Sequence, residues 1–133
     1  MKLDINCIRD ILLLVEEHSN LNENYVTIPI NVFELIKSNH LSSYTDKEIV
    51  YTVKKLDEAY YIDAVFKYAD NSLYTCYIYE LTYEGHQLLD TIRNNKVIES
   101  INKKLDNLGS SVTIEIIKLL ATNILKEKLG LKN

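Results

Sequence analysis

Apolar residues near the start of the chain recur at the spacing of one helical face: Ile5, Ile8, Ile11, Leu12 and Val15. Asp4 precedes them and can accept a hydrogen bond from a free N–H of the first turn, so the pattern predicts a helix capped at Asp4. An extended piece at 25–28 stops before the chain's single proline, whose ring disfavours helix in the residue before it. A short second helix is predicted over 30–38.

A third helix is predicted to start at T-D-K-E, residues 45–48, which has the form of a capping box. In such a box the Thr45 hydroxyl accepts the N–H three residues on, and the Glu48 side chain reaches back to the N–H of Thr45. The helix that follows buries one apolar stripe and exposes the opposite side. That side carries Lys47, Tyr51, Lys54, Lys55 and Glu58.

After residue 60 the hydrophobic period changes to two. Two alternating runs, 60–68 and 73–81, are separated by the turn-forming D-N-S at 70–72, and together they predict a β-hairpin. Tyrosines concentrate in this region. Strand propensity and a packed sheet face that is partly exposed to water explain them. An exposed tyrosine cluster would also suit stacked bases or a protein partner.

The hairpin should end at Thr82, whose hydroxyl can cap the next helix. Gly85 falls in the first turn of that helix, where the lack of a Cβ would let the helix pass close to a neighbouring strand or helix. His86 follows directly. No other histidine or nucleophile is arranged around it, so we interpret it as a helix-start residue that hydrogen-bonds locally.

Two further amphipathic helices are predicted, over 97–108 and 112–129. Gly109 is a natural stop, Ser110 or Ser111 a natural restart, and Gly130 a natural end. The last helix has a broad apolar face. Such a face either packs across the body of the protein or meets a second copy, and the predicted interface of such a homodimer is Ile116, Leu120 and Ile124.

The length of 133 residues favours one domain, and 47% apolar with 26% charged residues is typical of a globular protein. No apolar run reaches the ~20 residues of a membrane helix, and no signal-peptide pattern is present, so a cytoplasmic protein without membrane contact is expected. Cys7 and Cys76 stand far apart and are expected to be buried thiols, not metal ligands or a disulfide.

Charge is distributed unevenly within the formal net charge of -4. Residues 1–92 hold 7 Lys and Arg against 15 Asp and Glu, a net of -8, whereas residues 93–133 hold 8 against 4, a net of +4. Enzyme signatures are lacking: three glycines leave no phosphate-binding loop, and neither G-x-S-x-G nor H-E-x-x-H occurs. We therefore expect no catalytic residue, no metal site, no cofactor and no enzymatic activity.

The order helix, short strand, helix, capped helix, hairpin, helices is that of a winged helix-turn-helix domain. The predicted fold is α+β and mostly α, with a three-helix unit and a hairpin wing over 1–93. The C-terminal helical extension, 94–133, packs on that domain or forms a dimer interface, within one compact domain. Winged-helix proteins often carry glycine after the third helix. This chain has tyrosine in A-Y-Y-I at 59–62, which tolerates a left-handed cap poorly, so the joint is expected to be shaped differently.

Three segments carry a closer resemblance: M-K-L-D-I-N-C-I-R-D-I-L-L at the start, L-T-Y-E-G-H-Q-L-L-D-T-I-R-N at 81–94, and S-V-T-I-E-I-I-K-L-L-A at 111–121. Together they resemble an uncharacterised domain family of bacteria and their phages, domain of unknown function twenty-five-thirteen. The G-H-x-x-L-D-x-I-R run is its most specific part. The resemblance implies a winged-helix-like domain, frequently carried on prophages, with no established activity.

Two functions follow as hypotheses. The first is a DNA-binding regulatory or accessory protein, phage-associated and dimeric. Its contacts with double-stranded DNA would come from Thr45, Lys47, Tyr51, Lys54, Lys55, Lys67 and Asn71. The second is a protein-interaction module whose acidic winged half binds a basic host or phage protein, for example in an anti-defence or antirepressor role. Phosphate contact dominates affinity for nucleic acid, so the acidic first half weighs against the first hypothesis.

Overall fold

The computed structural model describes residues 1–108 and 113–130, and within them the chain is α+β and mostly helical. The helices are α1 (Ile5–His18), α2 (Val32–Ile36), α3 (Asp46–Glu58), α4 (Tyr83–Ile92), α5 (Asn95–Leu108) and α6 (Ile114–Lys128), with a 3-10 turn at Asn39–Leu41. The strands are β1 (Ile30–Asn31), β2 (Ile62–Ala69) and β3 (Ser72–Leu81). The predicted stop at Gly109, the restart at Ser110 or Ser111 and the start at 112 lie outside the described residues.

The three strands form one antiparallel sheet in the order β1–β3–β2. Ile30 pairs with Ile78, and Val65 pairs with Tyr77. The register shifts twice, and the extra residue each time is a tyrosine of β3, Tyr74 or Tyr79, so β2 runs without interruption. The predicted hairpin is confirmed.

The core forms around α1, whose apolar face is fully buried at Ile8, Ile11, Leu12 and Val15. The helix starts as predicted, because the Asp4 side chain accepts the N–H of Asn6 at 2.9 Å. α1 packs against α3, β3, α4 and α5, so it contacts both the acidic first half and the basic last part of the chain. Both cysteine side chains are buried, as predicted.

The segment around the proline differs from its prediction. The strand lies after Pro29, at Ile30–Asn31, and the piece at 25–28 contributes only an isolated bridge between Leu21 and Thr27. α2 is correspondingly shorter than predicted. Ile30 takes its backbone partner from β3, and Asn31 caps α2 by accepting the N–H of Phe33 at 2.8 Å. Strand pairing therefore overrides the helical spacing of the apolar residues.

The joint between α3 and β2 closes around a left-handed tyrosine. The Tyr60 N–H donates to the Asp57 carbonyl at 3.0 Å and the Tyr61 N–H to the Leu56 carbonyl at 2.9 Å, the two hydrogen bonds of a Schellman motif. Tyr60 has φ of 64°. The expectation that tyrosine would reshape this joint is wrong: the chain adopts the conformation that glycine normally supplies, at a cost of about 1–2 kcal/mol.

The exit from the hairpin is built as predicted. The Thr82 hydroxyl accepts the Gly85 N–H at 3.0 Å, which caps α4. Gly85 is buried against the joint, and a Cβ added there would overlap the Tyr61 carbonyl oxygen. His86 lies in the first turn of α4 and its N–H donates to the Thr82 carbonyl at 3.0 Å, as predicted. Its side chain extends toward α1, where Nδ1 lies 3.8 Å from Glu16 Oε2.

The C-terminal helices cover apolar surface of α1 and α4. α6 packs against α4 and α5, and α5 also contacts α1. Among the three residues predicted for a dimer interface, Ile124 is only 4% exposed, while Ile116 and Leu120 are half-buried. Most of the broad face is therefore used inside the chain, and dimerisation through what is left stays a prediction. Gly130 ends α6 with φ of 71°, as predicted.

Candidate nucleic-acid interface

The exposed side of α3 presents the residues that the sequence selected. Its core side is formed by Ile49, Val53 and Leu56, all fully buried. On the opposite side Lys47 and Lys54 are exposed and Tyr51 is half-buried. The described part of the chain offers Lys47 and Lys54 no ion pair, so both ammonium groups are available to an external anion.

Lys55 is placed differently from the other two lysines. Its Nζ lies 2.9 Å from Glu58 Oε2 and 5.5 Å from the centre of the Tyr51 ring. The hydrogen bond that Lys55 donates to Glu58 raises the pKa of Lys55. This lysine is engaged within its own helix, so we rank it behind Lys47 and Lys54 as a phosphate contact.

Two of the four carboxylates of α3 accept backbone hydrogen bonds, whereas Asp46 is exposed and Glu58 lies on the exposed side beside Lys55. Glu48 accepts the Thr45 N–H at 3.2 Å and thereby completes the capping box, as predicted. Asp57 accepts the Ala64 N–H of β2 at 3.1 Å, and burial raises the pKa of this carboxyl. The exposed lysines Lys47 and Lys54 therefore share this helix with the exposed carboxylates of Asp46 and Glu58.

The remaining predicted residues fall at the helix start and on the hairpin. The Thr45 hydroxyl accepts the Glu48 N–H at 3.1 Å, so its first role is to cap α3. Lys67 is exposed on β2. Asn71 occupies the hairpin turn with φ of 61°, beside Asp70 with φ of 52°. The turn thus places a carboxylate next to the predicted contact, which weakens the case for Asn71.

The basic last part of the chain neutralises some of the acidic first half. Arg93 donates to both carboxylate oxygens of Glu16, at 3.0 and 2.9 Å, and this hydrogen bonding lowers the pKa of Glu16. Lys118 of α6 lies 3.5 Å from Glu84 of α4. Two cations of the basic last part, Arg93 and Lys118, are therefore paired within the molecule.

The tyrosines do not form the packed sheet face that the sequence suggested. Only Tyr61 is buried, at 7% exposure, and Tyr77 and Tyr79 are half-buried. Several others are largely exposed: Tyr25, Tyr60, Tyr68, Tyr74 and Tyr83. An exposed tyrosine cluster was among the alternatives that the sequence left open.

Metal binding, thiolate chemistry and a membrane span find little support in the described ranges. Residues 1–108 and 113–130 contain no group of three or more His, Cys, Asp or Glu side chains arranged to hold a metal ion. Burial raises the pKa of Cys7 to about 11 and that of Cys76 to about 12, which suppresses thiolate formation. None of the helices in the described part has the length and apolar content of a membrane span.

The geometry defines an α+β protein that presents a lysine-bearing helix beside a β-hairpin. The chain belongs to the family described as "Hypothetical protein (DUF2513)", whose profile matches residues 2–111. It is similar to an "Uncharacterized protein" of Haemophilus influenzae (strain ATCC 51907 / DSM 11121 / KW20 / Rd), with 26% identity over 130 residues, which span 98% of this chain and 100% of that protein. No solved structure gives a significant match. The predicted family is thus confirmed.

Proposed function

We propose that this chain is a winged helix-turn-helix protein that binds double-stranded DNA, in a regulatory or accessory role associated with phages or prophages. The observation that carries the proposal is the arrangement around α3. A short strand precedes α2 and α3, the hairpin follows them, and the strands pair in the order β1–β3–β2. In this interpretation α3 is the recognition helix and β2–β3 the wing.

The free cations on this side support a modest electrostatic contribution. Lys47, Lys54 and Lys67 are exposed, and three phosphates per copy would give a log–log salt slope of roughly -2.7. Affinity should then fall about fortyfold between 50 and 200 mM salt. A homodimer would double the number of phosphate contacts, and Ile116 and Leu120 are the accessible predicted residues that could support one.

The proposal is tested by fluorescence anisotropy with a labelled 24-base-pair duplex at low salt. The variant Lys47→Glu/Lys54→Glu should lose at least about tenfold in affinity, because each change removes a phosphate contact and adds repulsion. A matched control is Lys96→Glu/Lys103→Glu on α5, which alters the net charge equally at two exposed lysines. Equal losses in both double variants, or no binding of any duplex at low salt, would overturn the proposal.

A further inference from the structure

Three tyrosines stand out as the most exposed large hydrophobic side chains of the described residues. Tyr25 is 84% exposed, Tyr60 78% and Tyr83 75%. Tyrosine supplies a large, rigid contact area and is enriched among the residues that dominate protein interfaces. The positions of these three therefore matter.

All three lie at the same end of the sheet. Thr27, two residues after Tyr25, donates from its hydroxyl to Glu80 of β3 at 3.4 Å. Thr82, the neighbour of Tyr83, donates from its hydroxyl to the Tyr60 carbonyl at 2.6 Å. We call this end, with Tyr25, Tyr60, Asp63, Glu80 and Tyr83, the hairpin-base surface. The Asp70–Asn71 turn closes the opposite end of the hairpin, about 25 Å away at strand spacing.

Two of these tyrosines occupy backbone positions that favour glycine. Tyr25 and Tyr60 both have φ of 64°. Tyr25 donates its N–H to the Asn22 carbonyl at 3.0 Å and ends a tight turn, and Tyr60 ends α3. The strain is not offset by burial, because both side chains point largely into solvent. Strained residues that pack against nothing in their own chain are typical of functional surfaces.

The charge around these tyrosines is negative. Asp63 and Glu80 face each other across β2 and β3, and both are exposed. Nearby lysines are already paired: Lys55 with Glu58, two residues before Tyr60, and Lys118 with Glu84, next to Tyr83. Phosphate would be repelled here. Guanidinium and ammonium groups would be attracted both to the carboxylates and to the tyrosine ring faces.

We propose that the hairpin-base surface binds a basic segment of another protein, with arginine or lysine side chains placed between the tyrosine rings and the carboxylates of Asp63 and Glu80. This interaction is separate from the proposed DNA binding. It uses the acidic end of the hairpin, whereas DNA would use the outer side of α3 and the wing.

The first experiment is a titration of the isotopically labelled full chain, followed by amide chemical shifts. The probe is a twelve-residue peptide of alternating arginine and glycine, with an alternating glutamate and glycine peptide as control. The arginine peptide should shift the amides of Tyr25, Tyr60, Glu80 and Tyr83, and the glutamate peptide should not. Shifts spread evenly over other exposed carboxylates, such as those of α1 and α5, would overturn the proposal. So would self-dilution shifts of the same amides, which would identify a second copy as the occupant.

The second experiment separates recognition from structure. Tyr25→Gly and Tyr60→Gly relieve the left-handed strain, so each variant should unfold at the wild-type temperature or above it. Each should nevertheless bind the arginine peptide at least about fivefold more weakly, as loss of an interface tyrosine would require. Tyr74→Ala, at an exposed tyrosine of the wing, is the matched control and should leave peptide affinity unchanged.

Peptide affinities of these variants decide whether the proposal stands. Unchanged peptide affinity in both glycine variants would show that the exposed tyrosines recognise nothing basic, and the proposal would be abandoned. The Lys47→Glu/Lys54→Glu variant should bind the arginine peptide like the wild type. Failure of DNA binding and failure of peptide binding are therefore distinguishable.

Discussion

Replacement of Gly85 by alanine tests how α4 is seated on the α3–β2 joint. Gly85 is buried in the first turn of α4, and its added methyl group would overlap the Tyr61 carbonyl oxygen. That oxygen already accepts the Thr82 N–H at 3.1 Å. Because the obstacle is backbone and not the end of a flexible side chain, it cannot rotate away.

The expected change in the free energy of unfolding for Gly85→Ala follows from two opposing effects. In an exposed helix, alanine in place of glycine stabilises by about 1 kcal/mol. Here the clash must move α4 or the joint, and the joint is held by the Tyr61 N–H to the Leu56 carbonyl and by pairing of Ile62 with Leu81. Overpacking typically costs about 1–3 kcal/mol, and a disturbed helix cap or backbone hydrogen bond adds about 1 kcal/mol each. We expect a net loss of about 2–4 kcal/mol.

The measurement is urea unfolding followed by far-ultraviolet circular dichroism, with the free energy of unfolding extrapolated to water. The control is His86→Ala on the same helix, which removes only an exposed side chain 3.8 Å from Glu16 and should change stability by less than about 0.5 kcal/mol. A Gly85→Ala protein as stable as the wild type would refute the close approach of α4 to the Tyr61 carbonyl, and with it the derived position of the hairpin base.

Three further predictions concern titratable side chains. Hydrogen bonding to Arg93 lowers the pKa of Glu16, so its contribution to stability is present above the unfolded value of about 4.3 and is lost as pH falls through the folded value. Glu16→Gln should therefore cost up to about 1 kcal/mol at pH 7 and progressively less as the pH is lowered below the unfolded value, by urea unfolding across that pH range. Cys7 and Cys76, both buried, should react with a thiol reagent at pH 8 only as fast as the protein opens, which a parallel measurement in urea would check. Tyr44 donates from its hydroxyl to Asp10 Oδ2 at 2.7 Å, so Tyr44→Phe should lower the free energy of unfolding by about 1–2 kcal/mol, and an unchanged value would contradict this.

Much of the fold could be predicted because local signals agreed with the tertiary structure. The capping box at Thr45, the N-caps at Asp4 and Thr82, and the alternating hairpin all depend on neighbouring residues, so periodicity and capping rules sufficed. The strand at Ile30 could not be predicted in this way. Within the described residues it pairs with β3, almost fifty residues later, and its local spacing resembles a helix.

The candidate DNA interface was only partly predictable for a related reason. Spacing alone placed Lys47 and Lys54 on one side of α3, since the angular order of residues in a helix is fixed. Spacing could not show that Lys55 pairs with Glu58 or that Asp57 turns toward Ala64. Those choices depend on rotamers and on where β2 begins, which only the folded chain determines.

Net charge is a poor guide to what this protein can bind, because its carboxylates have different partners in the folded chain. Asp4 and Glu48 cap helices, Asp57 holds an N–H of β2, and Glu16 pairs with Arg93. These groups are engaged within the chain. Asp63 and Glu80 are exposed at the hairpin base near the exposed tyrosines, and Glu80 accepts the Thr27 hydroxyl at 3.4 Å. The two proposals therefore place phosphate and basic side chains on different surfaces of the acidic first half, and the two sets of variants test them separately.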